Sequence, residues 1–149
     1  MKHDYSIAVK GIIVREDQVL VLHRSPAEMK ASFLNKREKW DLPGGGLHYN
    51  ERCEEGLRRE ITEETSLQIE ILRPFSTYDV LKSFVHLCII TYLCRYEAGD
   101  VVLSKEHDKY HWMNRQQILE STLPRWMRYQ LLEALDAVQT EKRNKDRQV

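Results

Sequence analysis

Glu60, Glu63 and Glu64 stand at offsets of three and four within residues 51–65, a segment whose pattern predicts a helix. At about 100° per residue, those offsets place the three carboxylates within an arc of roughly 100° on one helical face. Cys53, Leu57 and Ile61, spaced by four, form an adjoining apolar stripe that can press the helix onto a sheet. The acidic arc therefore lies beside a buried seam, where like charges repel more strongly than in water. A hard divalent cation with oxygen ligands would compensate, and magnesium or manganese suits a carboxylate cluster best. Taken alone, E-x-x-E-E more often marks a solvated helix face. Its setting changes the reading.

The elements that must position this helix can be read along the chain. Residues 5–14 and 18–23 are rich in β-branched and apolar residues around Arg15, Glu16 and Asp17, which predicts a hairpin. Residues 24–39 turn polar and irregular, a long loop whose basic residues, Arg24 among them, could meet an anionic ligand. Pro43-Gly44-Gly45-Gly46 suits neither strand nor helix and marks a tight bend where backbone can approach a ligand closely. Asn50 is a good N-cap for the helix that follows. Strands are expected over 67–74, 84–96 and 109–113, with a brief helix around Ile118. A last amphipathic helix begins near Pro124, with Met127, Leu131, Leu132, Leu135 and Val138 as its core stripe. Residues 1–140 read as one domain, and the nearly apolar-free EKRNKDRQV of residues 141–149 as a charged, fraying end.

Residues 45–67, GGLHYNERCEEGLRREITEETSL, resemble the signature of the Nudix hydrolase family (MutT-like), G-x5-E-x7-R-E-U-x-E-E-x-G-U with U bulky and aliphatic. Gly45, Glu51, Arg59, Glu60, Ile61, Glu63, Glu64 and Leu67 match, eight of the nine specified positions. The exception is Ser66, where the family usually carries a glycine to close the helix in a left-handed C-cap. His48 and Asn50 also replace the glutamate and glycine of a common upstream variant. The serine removes no expected ligand, and His48 could alter a contact near the metals or stand as a surface histidine.

The resemblance implies an α/β/α sandwich, a mixed sheet between helices, with the signature as a loop-helix-loop that holds metal. It implies that Glu60, Glu63 and Glu64, joined by the backbone carbonyl of Gly45, bind Mg2+, with Mn2+ as a substitute. It further implies that Arg59 pairs with Glu51 and orients the loop, a bidentate role an arginine fork fits well. The reaction expected is cleavage of the diphosphate linkage of a nucleoside diphosphate derivative, such as a nucleoside triphosphate or a nucleotide sugar, by water attack at phosphorus. Glu64 is a candidate general base. Glu106, in the loop before the late strand, is the best candidate outside the signature. Trp40, Tyr78, Phe84 and Trp112 could stack on a nucleobase, and Trp40 with Arg24 are the substrate contacts chosen.

Composition narrows the alternatives. Of 149 residues, 42% are hydrophobic and 31% charged, enough for a buried core without disulfides. Lysine plus arginine equals aspartate plus glutamate at 23 each, so no basic excess favours a nucleic-acid partner or a membrane. Three cysteines without a C-x-x-C pair suggest no zinc site, and together with the absence of a long apolar run they point to a reducing cytoplasm. The oligomeric state is left open, a homodimer among the options. Two rivals remain: a non-catalytic Nudix-fold module that binds or senses a nucleotide, and a prenyl diphosphate isomerase. The first commonly loses signature glutamates, all present here. The second needs a reactive cysteine, whereas Cys88 and Cys94 sit in an apolar strand that favours inert packing.

Overall fold

The computed structural model describes residues 4–31 and 38–148. The strands are β1 (Tyr5–Arg15), β2 (Gln18–Arg24), β3 (Trp40–Asp41), β4 (Gly44–Gly46), β5 (Gln68–Leu81), β6 (His86–Ala98) and β7 (His107–Met113). The helices are α1 (Pro26–Ala31), α2 (Cys53–Thr65), α3 (Arg115–Glu120) and α4 (Arg125–Arg147). All seven strands join one mixed sheet, with β1 parallel to β6 and the other pairs antiparallel.

Side chains alternate faces along a strand, and β1 divides its residues between two cores. Val9 and Ile13 join Leu57 and Ile61 of α2 on one face. Ile12 and Val14 join Met127, Leu131 and Leu135 of α4 on the other. Burial on both faces explains why β1 reads as a nearly continuous apolar run instead of an alternating one. The arrangement is the expected α/β/α sandwich.

The sheet forks in the middle. One edge of β1 is taken by β6 along Tyr5 to Val14. Its other edge pairs with β2 only at Val14 and Arg15, and with β4 at Ala8 to Lys10. β2 diverges likewise, turning to β3 at Leu22 and His23. The short run from Trp40 to Gly46 thus fills the gap between β1 and β2, and the Gly11 amide donates to Pro43 O at 2.8 Å inside it. The Pro-Gly-Gly-Gly run was expected to be a bend unsuited to strand. Its glycines instead form β4, and at Gly44 the backbone lies so close to β1 that only a residue without a Cβ fits.

Other boundaries shift as well. The signature helix starts at Cys53 with Arg52 as its N-cap, two residues after the expected start at Glu51. Asn50 does not cap it; it takes a left-handed φ of 63° in the preceding turn. Ser66 closes the helix in the left-handed region at φ 64°, donating its amide to Thr62 O, so serine does here what glycine usually does. The segment read as one loop contains α1, and residues 32–37 lie outside those described. β5 runs seven residues past Pro74, paired with β6 up to Leu81. The segment after Thr140, expected to fray, continues α4 to Arg147; a helix end can hold its local hydrogen bonds without packing, and Arg73 anchors Glu141 at 3.0 Å. Among the described residues no helix is long and apolar enough to cross a membrane.

Gly44 and Gly46 separate the fork's requirements. Gly44 has φ 137°, and a Cβ there would fall 2.1 Å from Val9 O, whereas a Cβ on Gly46 meets nothing within 4 Å. Gly44→Ala should destabilise by roughly 3 kcal/mol through backbone strain and overlap, and Gly46→Ala by under about 0.5 kcal/mol. Urea-unfolding midpoints of the two variants would show whether the difference exists.

Candidate functional site

Arg59 organises the outer half of the site. Its Nε and one terminal nitrogen donate to both oxygens of Glu51, at 2.7 and 2.9 Å, and the same terminal nitrogen reaches Gly46 O at 3.3 Å. The fork geometry that the signature implies is present, and it ties the loop before α2 to the helix. Hydrogen bonding to Arg59 holds the Glu51 carboxyl low, at about 2. The other terminal nitrogen donates to Glu60 at 3.0 Å and Glu63 at 3.3 Å, so these carboxylates converge on one atom instead of splaying apart. Each uses a single oxygen for Arg59.

Burial grades the three glutamates. Glu63 is exposed, Glu60 half-buried, and Glu64 buried in the seam. Glu64 accepts from the Gly44 amide at 3.0 Å. Burial, reinforced by the charges of Asp41 and Glu60, pushes its carboxyl up to about 9 against the opposing pull of Lys10 and the Gly44 amide. Lys10 lies at the fork, donating to Asp41 Oδ1 at 3.1 Å, Leu42 O at 3.2 Å and Gly44 O at 3.0 Å. Burial alone would lower its ammonium's pKa, but Asp41 and Glu64 raise it further. Asp41, despite burial, is held well below the usual carboxylate range by Lys10, His107 and Arg24.

The tightest grouping among the described residues differs from the expected trio. Glu64, Glu106 and His107 each offer one ligand atom, all within 4.8 Å of one another. Glu60 and Glu63 stand outside it, drawn toward the loop by Arg59. Glu106, the expected outside base, therefore comes to Glu64 as its neighbour, because the loop before β7 is fixed on α2 by the Ser104 amide donating to Glu64 O at 3.3 Å.

Donor type and available room both suit a divalent cation. The acidic face offers hard carboxylate oxygens, and Gly45 leaves space for them: a Cβ there would fall 2.8 Å from the Glu60 carboxyl carbon. The buried Nδ1 of His107 has no hydrogen-bond partner.

On the α4 side of the sheet a cavity of about 460 Å3 opens beside Gly45. Lys10, Arg24 and Asp41 contribute charged groups to its lining, and Tyr78, Trp126 and Gln130 line it as well. Tyr78 and Trp126 pair with ring centroids 5.1 Å apart. Trp40 Nε1 and Gln130 Oε1, both on lining residues, are buried without partners. The chosen substrate contacts Trp40 and Arg24 thus line this cavity, as does Tyr78. Phe84 is exposed and Trp112 is held beneath the Arg15 guanidinium, 4.0 Å from its ring centre; neither lines it. Burial pushes the Cys94 thiol up to about 12, leaving it unreactive at neutral pH.

Sequence reading missed Lys10, Asp41, His107, Trp126 and Gln130. Lys10 had a readable signal, a lone charge inside IAVKGIIV. The others had none, since strand pairing and helix docking bring them in.

Comparison with known proteins agrees with this geometry. A model of the NUDIX domain matches residues 4–135. A MutT-like protein of Streptomyces ambofaciens is 28% identical over 144 residues, 95% of this chain and 84% of that protein. Nucleoside triphosphatase NudI of Escherichia coli is 30% identical over 96 residues, 57% of this chain and 68% of that protein. The crystal structure of a MutT protein from Methanosarcina mazei Go1 superposes with a TM-score of 0.73 at 30% identity, covering 93% of this chain and 98% of that one. The match spans the sheet, the signature helix and the first half of α4, and by it this chain belongs to the Nudix family of hydrolases.

Proposed function

We propose that the chain is a Mg2+-dependent pyrophosphohydrolase acting on a small nucleoside diphosphate derivative, with nucleoside triphosphates as the first class to test. The observation that carries this reading is the continuity of two surfaces at Gly45. That residue packs against Glu60 of the acidic helix and also lines the cavity that Tyr78 and Trp126 line. A substrate spanning both would lay its phosphates against the carboxylate side and its base against the aromatic side. Nucleoside triphosphate cleavage is the activity named for the NudI relative, which supports the choice.

Glu60, Glu63 and Glu64, with the carbonyl of Gly45, are the residues that would hold Mg2+. When bound, the ion would supply positive charge to the diphosphate oxygens and acidify the attacking water. The chain's own groups do the rest. Water oxygen bonds to phosphorus as the bridging P–O bond breaks, and the departing phosphate keeps that electron pair. Glu106, exposed and beside Glu64, accepts the proton lost by the water. Arg59 holds Glu51, Glu60 and Glu63 in one cluster and so fixes the acidic face. The partnerless Trp40 N–H and Gln130 carbonyl can hydrogen-bond a base that has slid between the sheet and α4.

Glu63→Gln or Glu64→Gln should lower kcat by about 100-fold or more with the fold retained, since charge-stabilising groups are worth that much. Wild-type rates at saturating Mg2+, followed by phosphate release from a nucleoside triphosphate panel, would remove the metal assignment. Glu106→Gln should cost about 10²–10⁴-fold in kcat if it takes the proton; a loss under about three-fold passes that role elsewhere. Trp126→Ala should raise KM roughly ten-fold with kcat little changed, a stacking contact being worth about 1–3 kcal/mol. An unaltered KM would put the base outside this cavity.

A further inference from the structure

We propose that His107 supplies a nitrogen ligand to a divalent-cation subsite completed by Glu64 and Glu106, making part of this protein's metal site selective for ions that accept imidazole. The inference rests on the metal-dependent reading above and adds to it a donor outside the signature. His107 is buried, its side chain 2% exposed, and its Nε2 lies 3.0 Å from Asp41 Oδ2. Asp41 is pinned as a carboxylate by Lys10 at 3.1 Å and by Arg24 at 3.6 Å, and a carboxylate only accepts. Nε2 must therefore carry the proton. The other nitrogen, Nδ1, is buried and has no partner, so it is left with a lone pair and nothing to receive it. A free lone pair on a ring that has a nitrogen within 4.8 Å of oxygens of Glu64 and Glu106 is what a cation would bind, and a carboxylate fixing the opposite ring nitrogen is the usual support of a metal-bound histidine.

The three residues come from separate parts of the fold and converge nonetheless. Glu64 ends the buried row of α2, Glu106 belongs to the loop before β7, and His107 opens that strand, with ligand atoms within 4.8 Å of one another. Glu64 engages the Gly44 amide through Oε2, which leaves Oε1 for an ion. Glu106 has two oxygens, so it can ligate through one and take the water's proton with the other. A nitrogen donor shifts preference from Mg2+ toward ions such as Co2+ and Zn2+, which favour imidazole.

The test uses the untagged full chain loaded with Mn2+ as the paramagnetic probe. Pulsed EPR should show an imidazole nitrogen coupled to the ion, and growth on 15N-histidine should change that coupling in the manner expected of the isotope. His107→Asn should abolish the coupling and weaken Co2+ by about ten-fold or more, within the range for lost metal-site support, while Mg2+ affinity moves under about three-fold. Bound Mn2+ with no nitrogen coupling in the wild-type protein overturns the inference and leaves the hydrolase reading standing. Absence of Mn2+ binding together with absence of Mg2+-dependent hydrolysis overturns both. Should His107→Asn fail to fold, by circular dichroism, the isotope comparison on the wild-type protein decides alone.

Discussion

The ammonium of Lys10 is the constraint on which the centre of this molecule depends. It lies where β1 and β2 part, and its three hydrogen bonds close the gap that the sheet leaves open. Two of them satisfy carbonyls of the Trp40–Gly46 run, and a buried carbonyl left without a partner costs about 1–3 kcal/mol. The third holds Asp41, and removing one member of such a buried pair costs about 3–5 kcal/mol. From this one cation, order passes outward: to His107 through Asp41, and to Glu64 through its field.

The acidic helix is built on a compromise between burial and charge. Leu57 and Ile61 draw α2 onto the sheet, and Glu64 is carried into the seam with them. The cost of that burial is visible in a carboxyl pushed far from its ordinary range. Glu60 and Glu63, farther out, are controlled by Arg59, which is itself held by Glu51. One helix thus presents three carboxylates at three depths, two steered by Arg59 and the third by the Gly44 amide.

The cavity depends on the other face of the same sheet. α4 docks through Met127, Leu131 and Leu135, and that docking brings Trp126 and Gln130 opposite Tyr78. Gly45 joins the two faces, since a residue without a side chain leaves both the Glu60 carboxyl and the cavity mouth unobstructed.

The sequence by itself determined the α/β/α class, the identity of the signature helix, the core stripes of α2 and α4, and the left-handed closure at Ser66. All of these are local: helical spacing, apolar runs and a nine-position motif are set within about two dozen residues. It misplaced the start of α2 by two residues and denied strand to the glycine run, because β4 exists only through pairing with β1, a partner more than thirty positions away. Only the tertiary structure decided that Lys10 fills the sheet's fork, that His107 stands between Asp41 and Glu64, and that Trp126 rather than Trp112 faces the cavity. Strand register and helix docking are long-range outcomes, and neighbouring residues carry no record of what lies across the sheet.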